Sequence, residues 1–419
     1  MLRPIRLFNT EFPAQYWLMF FGMLISTIGS SMIWPFLMIY ASERLDLPMT
    51  ALASLLTINA ISGLVSSFIA GPIIDRLGRK RVMVISLFTN GIGFLLLSQA
   101  NTLPAFAALM VVQGAANPLY RVGADAMMAD LIPPARRIEA YAMLRLSNNA
   151  GIAIGPAIGG FLAASTYNTA FYFAAGGMSI YGLLLAFLAR ETLPFAAAND
   201  PARISQPTKQ RFGGYGRVLR DRVYISFTLA FWLTMMASSI LWVLLAVYAK
   251  ENYGLSESRY GLIPTTNALM VVLLQIPVTR VTKRFKTMPV LAVGAVFYTV
   301  GVASVALGTG FWGFWTSMVV MTIGELIMAP TSSTFVANQA PPDMRGRYMS
   351  IYSLTWSIST GIGPVIGGFL NDHFGPRTIW YGAGLIGMIS SILFLLYTTL
   401  PSMQKTTTLP SKADLDTLP

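Results

Sequence analysis

The sequence predicts an all-α integral membrane protein of twelve transmembrane helices, arranged as two six-helix bundles related by a pseudo-twofold axis. Three observations carry that expectation. The chain is 54% hydrophobic and only 11% charged over 419 residues, with a mean hydropathy of +0.60. Soluble domains carry about 25% charged residues. The basic residues fall almost entirely on one side of the apolar runs, and one stretch of the chain recurs at a fixed offset.

The runs come first. Apolar segments long enough to cross a bilayer core of about 30 Å as helix fall at 16–40, 50–74, 82–100, 103–130, 140–164, 169–189, 225–248, 260–280, 289–308, 311–337, 348–370 and 379–400. The run after the N-terminal "MLRPIRLFNTEFPAQ" is too long for a signal h-region and is read as the first span. Residues 191–222 read as a cytoplasmic linker that divides the chain into bundles 1–190 and 223–400, and residues 401–419 as a disordered cytoplasmic tail.

Sidedness follows from the charges. With the N-terminus inside, 23 of the 29 Lys and Arg fall on cytoplasmic segments, four outside and two within spans. Retention of basic residues on the cytoplasmic side places both termini there. It also accounts for the net charge of +12 without a nucleic-acid partner.

The repeat is the third observation. Residues 129–162 align with 337–370 at an offset of 208 without a gap, with 13 identities in 34 positions. Hydrophobicity alone does not bring Pro133, Pro134, Arg137 and the GPxIGGFL block into one register with Pro341, Pro342 and Arg345. Two copies of an even number of spans share one orientation, an architecture found in secondary transporters.

Two motifs then stand out. The stretch Gly71-Pro-Ile-Ile-Asp75-Arg76-Leu-Gly78-Arg79-Lys80-Arg81 lies between spans 2 and 3. A plain basic turn explains Arg79–Arg81 but not Asp75 or the glycine spacing. In span 5, Gly151, Gly155, Pro156, Gly159 and Gly160 place small residues four apart on one face, and Gly363, Pro364, Gly367 and Gly368 repeat the register in span 11. Such spacing permits close helix approach, and the prolines each remove a backbone hydrogen bond.

The first motif resembles the signature loop of the major facilitator superfamily (MFS), written G-x-L-A-D-R-x-G-R-K, with Ile73 in place of Leu; the second resembles the motif of that superfamily's drug:proton antiporter branch. The resemblance covers roughly residues 10–400. It implies the MFS fold and a loop acting as a latch of one transport state. In that reading Asp75 meets the start of span 11, Arg79 pairs with Asp130 at the end of span 4, and the small-residue face of span 5 packs on span 8. Gly71 and Gly78 are expected to keep the loop tight. The chain departs from the branch in two places. Residue 110 is Met where R-x-x-Q-G would put Arg before Gln113-Gly114, leaving Arg121 as the candidate substitute. Span 1 carries Ser26, Thr27, Ser30 and Ser31 but no acid.

Four charges lie inside spans: Arg121, Asp125, Arg145 and Glu325. Each should face water or a partner, since a charge at mid-bilayer costs about 2.5–3.5 kcal/mol on the mildest scale. An Arg145–Asp125 pair is expected from their similar depth, as is Arg121 beside Asn148 or Asn149. Glu325 has no basic residue in the spans of the second half to neutralise it. It is therefore the candidate for proton coupling, with a structural glutamate or a cationic-substrate site as alternatives. Further cavity candidates are Gln113, Asn117, Tyr120, Asn148, Asn149, Trp242, Asn267, Gln275 and Trp356. His373 is expected on an outer loop without a role.

With no cysteine and one histidine, disulfides and Cys- or His-rich metal sites are excluded. No phosphate-cradling G-x-x-x-x-G-K-[ST] run is present. The expected function is proton-coupled export of small amphipathic molecules by a monomer in a bacterial-type inner membrane, without cofactor or metal. Nutrient symport or uniport, or movement of a lipid-like substrate, is the alternative. A membrane enzyme or receptor is the distant one.

Overall fold

The computed structural model describes residues 12–133, 136–193, 215–341 and 344–400. Residues 194–214 of the expected linker and the expected tail 401–419 lie outside the described residues. All regular structure among the described residues is helical: α1 (Ala14–Ile33), α2 (Leu37–Leu45), α3 (Met49–Leu77), α4 (Arg79–Leu97), α5 (Leu103–Leu131), α6 (Arg137–Ala163), α7 (Tyr167–Leu188), α8 (Tyr215–Arg220), α9 (Arg222–Tyr253), α10 (Glu257–Thr282), α11 (Thr287–Ser304), α12 (Gly310–Gln339), α13 (Arg345–Phe374) and α14 (Thr378–Thr399).

Each expected span has a helix. The first is interrupted: a 3-10 turn over Trp34–Phe36 joins α1 to α2, because Pro35 within it cannot continue the α-helical bonding. Among the described residues ten helical segments are long and apolar enough to cross a membrane. The helices of spans 5 and 11, α6 and α13, have the length at 27 and 30 residues. Their glycines, serines and polar residues dilute the apolar content. Local chemistry sets several ends. Thr166 accepts from the Thr169 amide at the start of α7, and Asp221 from the Tyr224 amide at the start of α9. Gly254 ends α9 in the left-handed region at φ 61°. His373 lies in the last turn of α13, not on a loop, with its ring stacked on Phe369 at 4.2 Å. The helix runs on to Gly375, whose φ of 95° stops it.

Two compact units are formed. Unit 1 is Met1–Asp46, Ile58–Gln206 and Ser256–Ala268; unit 2 is Leu47–Thr57, Pro207–Leu255 and Leu269–Pro419. The core of unit 1 gathers Tyr16, Met19, Met83, Leu87, Met127, Met128, Leu144, Tyr181 and Leu185. In unit 2, α9 is buried almost continuously from Thr234 to Ala249. The opening turns of α3 join unit 2 because they pack on α13: Thr57 donates to the Gly361 carbonyl, and a Cβ on Gly368 would stand 2.8 Å from the Thr50 nitrogen. The opening turns of α10 join unit 1 because Gly261 abuts the Pro156 carbonyl and Tyr167 donates to Glu257.

The offset of 208 extends from sequence to contacts. Within unit 1, Tyr16 Oη donates to the Ala140 carbonyl at 3.2 Å; within unit 2, Tyr224 Oη donates to the Tyr348 carbonyl at 2.6 Å. Gly155 faces Ser31 and the Ile28 carbonyl, and Gly363 faces Ser239 and the Met236 carbonyl. Every residue of the second set lies 208 positions after its counterpart.

Candidate functional site

The charged loop between spans 2 and 3 is shorter than the sequence suggests. Helix α3 runs through Asp75 and Arg76 to Leu77, and α4 begins at Arg79. Gly78 alone separates them, at φ 93° and ψ 152°. That region is open to glycine and strained for other residues. Gly71, in contrast, has nothing within 4 Å of where a Cβ would stand, so close packing does not require its lack of a side chain.

Arg79 is buried, and its guanidinium bridges two carboxylates. Nη1 lies 3.5 Å from Asp75 Oδ1, and Nε 3.2 Å from Asp130 Oδ2. A third carboxylate, that of Glu191, completes the cluster. Its oxygens accept from the backbone amides of Arg79 (2.9 Å) and Lys80 (3.1 Å), free donors at the start of α4. The next residue, Thr192, donates to Asp130 Oδ2 at 3.0 Å. Gln15 exchanges hydrogen bonds with the backbone of Arg190, at 2.8 and 3.0 Å. The chain leaving α7 is thereby tied to the starts of α1 and α4 and to the last turn of α5. Glu191 and Thr192 were not among the sequence candidates. An acid after a span reads as linker, and a cap lying 111 residues from the amide it serves leaves no local pattern.

The small-residue face of α6 has a different partner from the one expected. Gly151, Gly155 and Gly159 pack on α1, against Thr27, Ser31 and Met32. Gly160, with the Pro156 carbonyl, is what meets α10. In unit 2, Gly363 and Gly367 pack on α9, and Gly368 meets α3. Pro364 is buried beside them in α13. Four-residue spacing identifies a face; the neighbour that fills it depends on the bundle.

Of the charges inside spans, Arg121, Asp125 and Arg145 are exposed. Arg145 and Asp125 are not within ion-pair distance. Tyr141 Oη donates to the Asp125 carbonyl at 3.0 Å, so Tyr141 stands level with Asp125 and Arg145 a turn further along. The charged neighbour of Asp125 is Arg121 on its own helix. Glu325 is half-buried at the middle of α12, with Tyr298 of α11 in electrostatic reach.

The polar candidates divide. Asn117 is exposed on the same stripe as Arg121 and Asp125, and Trp356 is exposed on α13. Asn148 accepts from Thr27 Oγ1 at 3.2 Å; Asn149 and Trp242 are half-buried. Four others face helix contacts. Gln113 is buried against Gly93. Tyr120 donates to Tyr181 Oη at 3.3 Å, Gln275 donates to the Leu326 carbonyl at 3.0 Å, and Asn267 is buried.

The sequence profile described as Major Facilitator Superfamily matches residues 19–233 and 227–417. The chain belongs to the Major Facilitator Superfamily. It is 29% identical over 379 residues to a protein of Planococcus maritimus named Na(+), Li(+), K(+)/H(+) antiporter, covering 84% of this chain and 87% of that one. It is 22% identical over 385 residues to the quinolone resistance protein NorA of Staphylococcus aureus strain MSSA476, covering 90% and 95%. The crystal structure of a point mutant of the nucleoside transporter NupG superposes with a TM-score of 0.78 at 14% identity, over 91% of this chain and 99% of that one. At that identity the likeness shows the fold alone. The facilitator fold and a transport function follow, in a multi-pass membrane protein.

Proposed function

We propose that this facilitator is a proton-driven exporter of small amphipathic molecules, working as a monomer by alternating access in a bacterial-type inner membrane with both termini in the cytoplasm. One observation carries the reading: Glu325 places a carboxyl group at the middle of α12, and the only Lys or Arg in the expected spans of the second half is Arg280, the last residue of 260–280. A carboxyl group is a proton-exchanging side chain, and one inside a span marks a proton or ion path. Coupling to a proton requires such a group. The name of the Planococcus maritimus relative supports exchange against protons, and that of the Staphylococcus aureus relative, a quinolone resistance protein, supports action on a small organic molecule. The cluster of Asp75, Arg79, Asp130 and Glu191 serves as the latch of one state, and bundles 1–190 and 223–400 are the moving parts.

The test is flux in proteoliposomes under an imposed pH gradient, comparing the wild-type chain with Glu325→Gln. Loss of gradient-driven transport at unchanged expression is expected. A wild-type response to the gradient in the variant removes Glu325 from the mechanism. A second reading, exchange of monovalent cations for protons, is favoured by the name of the 29%-identical relative. Proton movement evoked by Na+, Li+ or K+ in the same vesicles, without any organic substrate, would establish it.

A further inference from the structure

We propose that the polar face shared by α5 and α6 binds the anionic group of the transported molecule through Arg121 and Arg145, so that the substrate class is small amphipathic organic anions. This rests on the transport reading above and names the substrate chemistry within it.

Away from its two ends, the exposed residues of α5 fall on two faces. Ala108, Val111 and Val112 form an apolar one; Asn117, Arg121 and Asp125, each four residues after the last, form a wholly polar one. Helix α6 carries Leu146, Ile154 and Ile158 on one exposed face and Tyr141 and Arg145 on another, with Ile152 two turns beyond Arg145 on that second face. In a bilayer the apolar faces suit lipid, and the polar faces need water.

The two arginines share a level. The 3.0 Å bond from Tyr141 Oη to the Asp125 carbonyl sets the antiparallel register of the helices. One turn along from that bond, in the same direction on each helix, stand Arg145 and Arg121. Neither guanidinium lies within 4.0 Å of a carboxylate or makes a hydrogen bond among the described residues. Asp125 neutralises part of this charge from its place one turn from Arg121, and α1 carries no acidic side chain, its Thr27 hydroxyl being engaged with Asn148. Two cations against one acid leave the face positive.

An arginine inside a span is expensive and marks a ligand path when no partner offsets it. Two planar guanidinium groups at one level match a carboxylate, sulfonate or phosphate oxygen set through charge-assisted hydrogen bonds. The same face repels an organic cation.

The test compares two dyes with one xanthene skeleton and opposite charge, fluorescein and rhodamine 123. Binding to the purified full-length chain is read by fluorescence anisotropy at equilibrium with no pH gradient. The wild type should bind fluorescein at least about ten-fold more tightly than rhodamine 123. Arg121→Gln/Arg145→Gln should remove that preference, and Arg121→Lys/Arg145→Lys should keep most of it, with a thermal melt confirming that each variant folds. Equal or tighter wild-type binding of rhodamine 123, no saturable binding of fluorescein, or undiminished fluorescein binding by the folded Gln variant would each overturn the proposal. Should the Gln variant fail to fold, the wild-type preference decides. Because no gradient is applied, a failure here is separate from failure of the proton-coupling test at Glu325.

Discussion

The Arg79 guanidinium lies 3.2 Å from the Asp130 carboxylate and ties the first turn of α4 to the last turn of α5. Arg79 is only 9% exposed, so removing its partner leaves a largely buried cation with Asp75 as its remaining counter-charge. Asp130→Ala should destabilise the protein by about 1–3 kcal/mol, chiefly through that uncompensated donor. Denaturant unfolding in detergent measures it. A midpoint equal to wild type would show that the pair does not hold the two helices.

Gly78 and Glu191 act on the same helix start. A side chain at Gly78 would meet Glu191 Oε2 as well as adopt a φ of 93°. Gly78→Ala should therefore cost about 1–3 kcal/mol in backbone strain, with the lost cap in addition. Glu191→Ala should cost about 0.5–2 kcal/mol, the usual range for an N-cap acceptor. In the double variant the clash is gone, so the combined loss should fall short of the sum of the two. Full additivity in a double-mutant cycle would show that the two residues are not in contact.

The architecture was legible because lipid imposes it. Length and apolarity located each span. The repeat register reached as far as the Tyr16–Ala140 and Tyr224–Tyr348 bonds. The Arg79–Asp130 geometry was likewise expected from the motif. What the sequence hid was azimuth and long-range capping. A glutamine such as Gln113 can point to water or into a neighbouring helix, and hydropathy does not distinguish the two. Depth counted from span ends put Arg145 opposite Asp125, and an error of one turn was enough to misplace the pair. Glu191 was hidden because its partners lie more than a hundred residues away.

The glycines give a graded prediction. A Cβ at Gly155 would stand 2.5 Å from Ser31 Cβ and 2.9 Å from the Ile28 carbonyl oxygen, and one at Gly159 would stand 2.6 Å from the Met32 Cα. Backbone cannot swing aside, so Gly155→Ala and Gly159→Ala should each cost about 1–3 kcal/mol by overpacking. Gly71 lies within α3 with open space around it. There the helix preference of alanine should dominate, and Gly71→Ala should be neutral or stabilising by up to about 1 kcal/mol. Melting temperatures of the three variants decide. A Gly71→Ala loss equal to that of Gly155→Ala would contradict the packing described.

Asp372 offers a test by pH. It lies two residues past the expected span 348–370, and its carboxylate accepts from Thr50 Oγ1 (2.6 Å), the Thr50 amide (2.9 Å) and the Met49 amide (3.1 Å) at the start of α3. Burial pushes its pKa up, but the bonds from Thr50, Asn371 and Met49 outweigh that and hold it below the ordinary aspartate value. A depressed carboxylate contributes stability above its unfolded pKa and loses it as pH falls through the folded one. The tie between α3 and α13 should therefore persist unchanged from pH 8 to pH 5 and weaken only below the ordinary aspartate range. Asp372→Asn should cost up to about 1 kcal/mol, because the side chain is exposed and the charge partly screened. The difference in stability between wild type and Asp372→Asn, measured from pH 8 down to pH 3, should stay flat and then close. A difference that vanishes between pH 7 and pH 5 would show that the carboxylate is not held in its charged form.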